Sequence, residues 1–156
     1  MPSSRRSDTQ LLVRLRLLIE SHERLTGSPL LAEMPADDAA LANAVWEAPF
    51  AIVAHGTEAD PVFFYGNRYA LRCFEMTFAD FARLPSRLSA EPVNQEARER
   101  ALHQVAVQGY VAGYAGMRIA SSGRRFRIEQ CTIWNLSDAA GAVHGQAASF
   151  IVQDQP

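Results

Sequence analysis

The chain has 156 residues, 48% of them hydrophobic and 21% charged, with a formal net charge of −2. A chain of that length suits one domain burying about two-thirds of its unfolded surface, so it needs no disulfide or metal staple. The balance is globular rather than disordered, and the charge argues against a dedicated nucleic-acid binder. All fifteen basic residues are arginine, which excludes a Walker-type phosphate loop and lysine Schiff-base chemistry.

The two cysteines, Cys73 and Cys131, read as buried thiols of a reducing compartment, and no CxxC or CxxxH spacing marks a metal site. Arg14 and Arg16 interrupt the apolar N-terminal stretch, so neither a secretory core nor a membrane span is read there. A soluble, cytoplasmic protein is expected.

Ser7-Asp8-Thr9-Gln10 has capping-box spacing. Leu11, Leu12, Leu15, Leu18, Ile19, His22 and Leu25 follow at intervals of three and four, a helical stripe that Gly27 and Pro29 end. Val13 and Leu17 fall off the stripe, so the helix has apolar surface on more than one side. A second helix is expected from about Asp37 to Trp46. Between Arg24 and Arg68 there are six carboxylates and no arginine.

From Pro49 the pattern changes. Phe50 to Ala54 reads as a buried strand, 56–61 as a turn, and Val62 to Tyr65 as a second strand. Asn67 can cap a helix through Leu71 and Phe74, and Thr77-x-x-Asp80 starts another running to Leu84. A longer helix from Asn94 to Gln108 buries Ala97, Ala101, Leu102 and Val105 before Gly109. Three strands follow: Tyr110 to Ala120, Arg124 to Leu136, and Val143 to Val152, with turns at 121–123 and 138–141. Strict alternation puts Phe126, Ile128, Thr132, Trp134 and Leu136 on one face of the middle strand. Arg125, Arg127, Glu129 and Asn135, with Cys131 and Ile133 among them, take the other.

That β-β-α-α-α-β-β-β order resembles the PAS sensory fold, with Val62-Phe63-Phe64-Tyr65-Gly66-Asn67 similar to its second strand and the asparagine after it. The stretches 48–60, 84–92 and 121–130 resemble the MEKHLA domain family more closely, a PAS-related family found alone in bacteria and at the C-terminus of plant homeodomain-leucine zipper proteins. The resemblance runs from about Leu11 to Val152. It implies an α+β fold, a five-stranded antiparallel sheet with helices on one face. Residues 1–47 would be a helical extension and 48–156 the PAS-like domain. The family carries no established reaction, and no homeodomain or zipper is present to bring DNA binding with it.

Candidate chemistry is sparse. His103 is the one sensible haem axial ligand, because PAS haem proteins use a histidine on the helix facing the sheet; a half-buried helix histidine is the plainer reading. Light-oxygen-voltage domains carry a reactive cysteine in the segment matching 84–92, which has none here. A cysteinyl-flavin photocycle is therefore not expected. Arg87, between Pro85 and Pro92, can grip a ligand anion with two parallel hydrogen bonds, pair with Glu91, or cap a helix end. Arg118, Arg124, Arg125 and Arg127 surround the 121–123 turn and read as a charged edge hairpin, a phosphate site, or a partner for the acidic segment. No nucleophile, base and orienter can be assembled, so no enzyme is expected.

These readings converge on a sensory or regulatory module that holds a small molecule between sheet and helices and signals through protein contacts. The expected lining is Val53, Phe64, Leu71, Phe74, Phe81, Leu84, Arg87 and Leu88, with His103 behind. The alternative is an interaction module whose core Phe63, Phe64, Phe74, Phe78 and Phe81 fill; an enzyme is a distant third. The wide apolar girth of the first helix predicts a homodimer through residues 8–26, the competing reading being that the helix caps its own sheet and the extra leucines fill a wide groove; an unidentified regulatory protein is a further expected partner.

Overall fold

The computed structural model describes residues 9–90 and 92–153. Helices α1 (Thr9–Thr26) and α2 (Asp38–Trp46) precede strands β1 (Ala51–His55) and β2 (Phe63–Gly66). Helices α3 (Arg68–Phe74) and α4 (Phe78–Phe81), a 3-10 turn (Ser86–Ser89) and α5 (Pro92–Gln108) follow. Strands β3 (Tyr110–Ile119), β4 (Arg125–Ser137) and β5 (Val143–Val152) complete one antiparallel sheet in the order β2-β1-β5-β4-β3. The expected α+β class, five-stranded sheet and N-terminal helix are all present.

Local chemistry sets most boundaries. Gly27 (φ 79°) and Gly109 (φ 90°) adopt the left-handed conformation that ends α1 and α5 at no steric cost. Asp37 caps α2 by accepting Ala40 N–H at 2.9 Å, and Thr77 caps α4 by accepting Asp80 N–H at 3.2 Å. Ser7, read as the cap of α1, and Glu91 lie outside the described residues. Helix α5 begins at Pro92, two residues earlier than expected; proline suits a first turn, where its missing N–H costs nothing.

Asn67 is the junction of the domain. It is fully buried. Its Oδ1 accepts from Ile52 N at 3.0 Å and Ala70 N at 3.1 Å. Its Nδ2 donates to Val45 O at 3.0 Å and Phe50 O at 2.9 Å. One side chain thus caps α3 while tying the end of α2 to β1.

Two readings are corrected. Helix α4 stops at Phe81 instead of reaching Leu84. The chain there is drawn along β2, where Leu84 O accepts Phe63 N–H at 3.0 Å and Ser86 N–H donates to Pro61 O at 2.8 Å. In β4, alternation breaks at a bulge. Gln130 has φ 51°, and the register with β5 slips between Glu129 and Thr132. An extra residue reverses the side-chain phase. Phe126 and Ile128 therefore face the α3–α5 side with Cys131 and Ile133: Phe126 packs edge-on against Phe74 at 5.1 Å. Trp134 faces α1, where its Nε1 donates to Leu18 O at 3.1 Å.

Helix α1 covers this second face. Leu15, Leu18, Trp134 and Leu136 have no exposed area, and each such side chain contributes roughly 1.5–3 kcal/mol by its burial. Ser21 Oγ donates to Ser137 O at 2.8 Å and accepts Ser137 N–H at 2.9 Å, and Arg24 also donates to Ser137 O. His22 is buried with its ring edge-on to Trp134 at 4.8 Å. Most of the stripe is therefore spent inside the chain. Val13 is 62% exposed, with Leu12 and Leu17 half-buried.

Candidate functional site

Between the sheet and the α3–α5 layer lies a cavity of about 60 Å³. Its sheet wall is built from Val53 and His55 of β1, Ile128, Cys131 and Ile133 of β4, and Gln146, Ala148 and Phe150 of β5. Those strands pair in register, Val53 with Ala148 and His55 with Gln146, so their inward residues meet side by side. Phe63, Phe74, Ser86, Ser89, Arg98, Leu102 and Arg118 close the rest.

The polar groups are unevenly satisfied. Arg98 Nη2 donates to Ser86 Oγ at 2.9 Å, and Ser89 Oγ donates to Ser86 O at 2.7 Å. Arg118 is only 8% exposed; its Nη1 donates to its neighbour Met117 O at 2.8 Å, and its guanidinium lies 5.7 Å from the Tyr114 ring centre. Among the described residues, neither arginine has a carboxylate within salt-bridge distance. Burial, and then the nearby charge of Arg118, hold the Arg98 pKa below the ordinary value. Gln146 Nε2 donates to Asn135 Oδ1 at 3.3 Å, while Gln146 Oε1 is buried with no hydrogen-bond partner. Burial lowers the His55 pKa, a hydrogen bond with Gly56 O at 2.8 Å opposes that, Arg98 lowers it further, and the neighbouring Gln146 side chain, though its Oε1 makes no hydrogen bond of normal geometry, raises it. The Cys131 thiol is pushed up to about 12 by burial, with Arg118 opposing, so it is a neutral thiol and not a nucleophile at pH 7.

Of the residues expected to line a site, the structure brings Val53 and Phe74 to the cavity. Phe81 and Leu71 are buried, Phe81 stacked on Phe63 at 4.3 Å and both packed against Gly66. Phe64 points the other way, with Arg14 4.5 Å above its ring; the strand's two-residue period gives the cavity position to Phe63. Leu84 is partly buried beside the core, and Leu88 is 47% exposed. Arg87 pairs at the surface with Asp60, its Nε 3.1 and 3.2 Å from the carboxylate oxygens. His103 is on the exposed side of α5 beside Glu99 and Arg100, because Ala101 and Val105 take the phase that faces the sheet.

The arginine cluster divides. Arg124 bonds Glu75 at 3.0 Å and Cys73 O at 2.9 Å, clamping the hairpin to the end of α3, and Arg127 pairs with Glu129 at 3.2 Å. Only Arg118 enters the cavity. Arg98 was missed by sequence reasoning although its signal was available: it lies four residues before Leu102 and seven before Val105, on the buried stripe of α5. Among the described residues, no group of three or more His, Cys, Asp or Glu could hold a metal ion. No described helix is long and apolar enough to cross a membrane.

A five-stranded antiparallel sheet with a helical layer closing a small chamber defines a PAS-type domain. The chain is similar to a PAS domain from Colwellia psychrerythraea (TM-score 0.62, 15% identity, covering 71% of this chain and 92% of that one). It is also similar to a light-oxygen-voltage domain solved with a flavin analogue (TM-score 0.62, 15% identity, 73% and 84%). A third likeness is to the PAS domain, in complex with ethanol, of a LuxR-family transcriptional regulator from Burkholderia thailandensis (TM-score 0.57, 18% identity, 72% and 96%). Identities this low show the fold alone. The MEKHLA domain model matches residues 12–153, and the chain belongs to that family. No curated protein matches it.

Proposed function

We propose that this protein is a sensory module that binds a small molecule in the cavity between the sheet and α5 and passes the change on through protein contacts. One observation carries the reading: the cavity is lined by half-buried Arg98 and buried Arg118, each with a single hydrogen bond and no carboxylate partner among the described residues, beside the buried Gln146 Oε1. Unpaired buried polar groups are costly, so a core built only to be filled would not accumulate them. A volume of about 60 Å³ is well below the roughly 300–1,000 Å³ of drug-sized ligand sites, which supports a ligand of metabolite size. A similar PAS domain, of a LuxR-family regulator, has been solved in complex with a molecule as small as ethanol, in keeping with this reading.

The second reading, a ligand-free interaction module, is favoured by the aromatic stack. Phe81 lies 4.3 Å from Phe63 and 5.4 Å from Phe74, occupying much of the space a larger cofactor would need. Native mass spectrometry of the purified protein, with a thermal-shift screen of organic acids, alcohols and amides, separates the two. A bound adduct or a ligand-dependent rise in melting temperature supports the sensory reading; silence in both overturns it. For the protein contact itself, we propose a homodimer using the edge of α1 that the sheet leaves free, around Val13. Sedimentation velocity of the full chain against Val13→Glu tests it: a dimer lost in the variant supports it, and a monomeric parent at tens of micromolar sinks it.

A further inference from the structure

We propose that the cavity selects a small aliphatic carboxylate, its charged end held between Arg98 and Arg118 and its tail against Phe63, Phe74, Leu102 and Ile128. The inference rests on the ligand-binding reading above and deepens it. Each guanidinium carries five N–H donors, and among the described residues each makes one hydrogen bond, to Ser86 Oγ and to Met117 O respectively. Both line the same cavity, with the neighbouring charges opposing one another.

Two like charges brought together in a largely desolvated space favour a counter-charge, and among the described residues no carboxylate lies within salt-bridge distance of either. The arginines that do pair among the described residues, such as Arg87 with Asp60 or Arg124 with Glu75, meet their carboxylates toward the surface. An anion bound from solution would supply that counter-charge. A planar carboxylate matches the guanidinium fork.

Size narrows the class further. About 60 Å³ has room for on the order of four to six water-sized groups, the heavy-atom count of acetate to butyrate. The remaining wall is aromatic and aliphatic, which favours an alkyl tail over a bare oxyanion or a second charge.

Butyrate, butyramide and inorganic phosphate, titrated by calorimetry at constant ionic strength into the parent protein, Arg98→Gln and Arg118→Gln, test the proposal. Butyrate should bind the parent, and losing one charged donor should weaken it about tenfold to a hundredfold. Butyramide and phosphate should bind at least tenfold more weakly than butyrate. Ligand-free melting temperatures should hold or rise in the variants, because each removes one of two opposed charges; should Arg118→Gln fail to fold, Arg98→Gln at the half-buried position carries the test. Butyramide binding as well as butyrate, unaffected by either substitution, would overturn the carboxylate proposal and leave the ligand cavity standing. Phosphate binding as well as butyrate would overturn the alkyl-tail selection. Binding of none of the three would overturn the carboxylate proposal, and the broader screen would then decide the sensory reading separately.

Discussion

The two faces of the sheet are built from the same strands to opposite ends. On the α1 face, Leu15, Leu18, Trp134 and Leu136 are fully buried, the Trp134 indole N–H has its acceptor, and Ser21 and Ser137 satisfy one another. On the α5 face, among the described residues, two guanidiniums have no carboxylate partner and a glutamine oxygen has no hydrogen bond of normal geometry around a small cavity. A protein can leave such groups unsatisfied on one side only if the other side supplies enough stability. The contrast separates a supporting face from one that holds a cavity.

The largest effect should come from breaking the supporting face. Trp134→Ala empties a fully buried site and leaves Leu18 O without its donor, so it should cost about 3–5 kcal/mol. Chemical denaturation reads this directly, and a loss below 1 kcal/mol would mean that α1 is not bound as described. On the cavity face, Leu102→Ala should cost only about 1–2 kcal/mol, below the roughly 2–5 kcal/mol of a fully buried leucine, because Leu102 is half-buried beside space that already exists. Equal losses from the two substitutions would erase the distinction between the faces.

Which residues reach which face was only partly legible from sequence. Helix ends were readable because glycine and short polar side chains act locally: Gly27, Gly109, Asp37, Asn67 and Thr77 do what their chemistry allows. Strand phase was harder, since a single residue decides it. Phe63 and Phe64 are equally apolar neighbours, and only their pairing within the sheet assigns the cavity to the first. Gln130 carries no mark of the bulge that sends Phe126 and Ile128 toward the helices. Arg118 was hidden by two register slips between β3 and β4, between Val111 and Tyr114 and between Tyr114 and Gly116. Arg98 was hidden by nothing but its charge, which draws attention away from a buried stripe.

A milder substitution sharpens the comparison without unfolding either face. Ala148 lies on the cavity floor between Val53 and Ile133. Ala148→Val adds two methyl groups where space is available, so stability should change by less than about 1 kcal/mol. The thermal shift produced by a cavity ligand should nevertheless disappear. A retained shift with unchanged affinity would place the ligand outside this cavity.

The smallest effect, and the one that reports on both faces at once, is a pair of histidine titrations. His22 lies against Trp134 on the α1 face, with Nδ1 2.8 Å from Ser28 O; His55 lies on the cavity face. Burial lowers the pKa of each, more than offsetting the hydrogen bond each makes to a backbone carbonyl. A group whose folded pKa is depressed contributes stability that is complete above its unfolded value, about 6.5 for histidine, and is lost as pH falls through the folded one. Stability should therefore decline from about pH 6.5 toward 5. The depressed carboxylates Glu58, Glu75 and Asp138 act only at lower pH, below their ordinary range. The faces part company when an anion enters. Arg98 helps to hold down the His55 pKa, so a carboxylate neutralising Arg98 should let it rise. His22, whose remaining influences are Ser28 and Glu23, should not move. NMR titration of the two imidazoles with and without butyrate measures this, and equal displacement of both, or of neither despite bound ligand, would show that the anion does not sit beside Arg98.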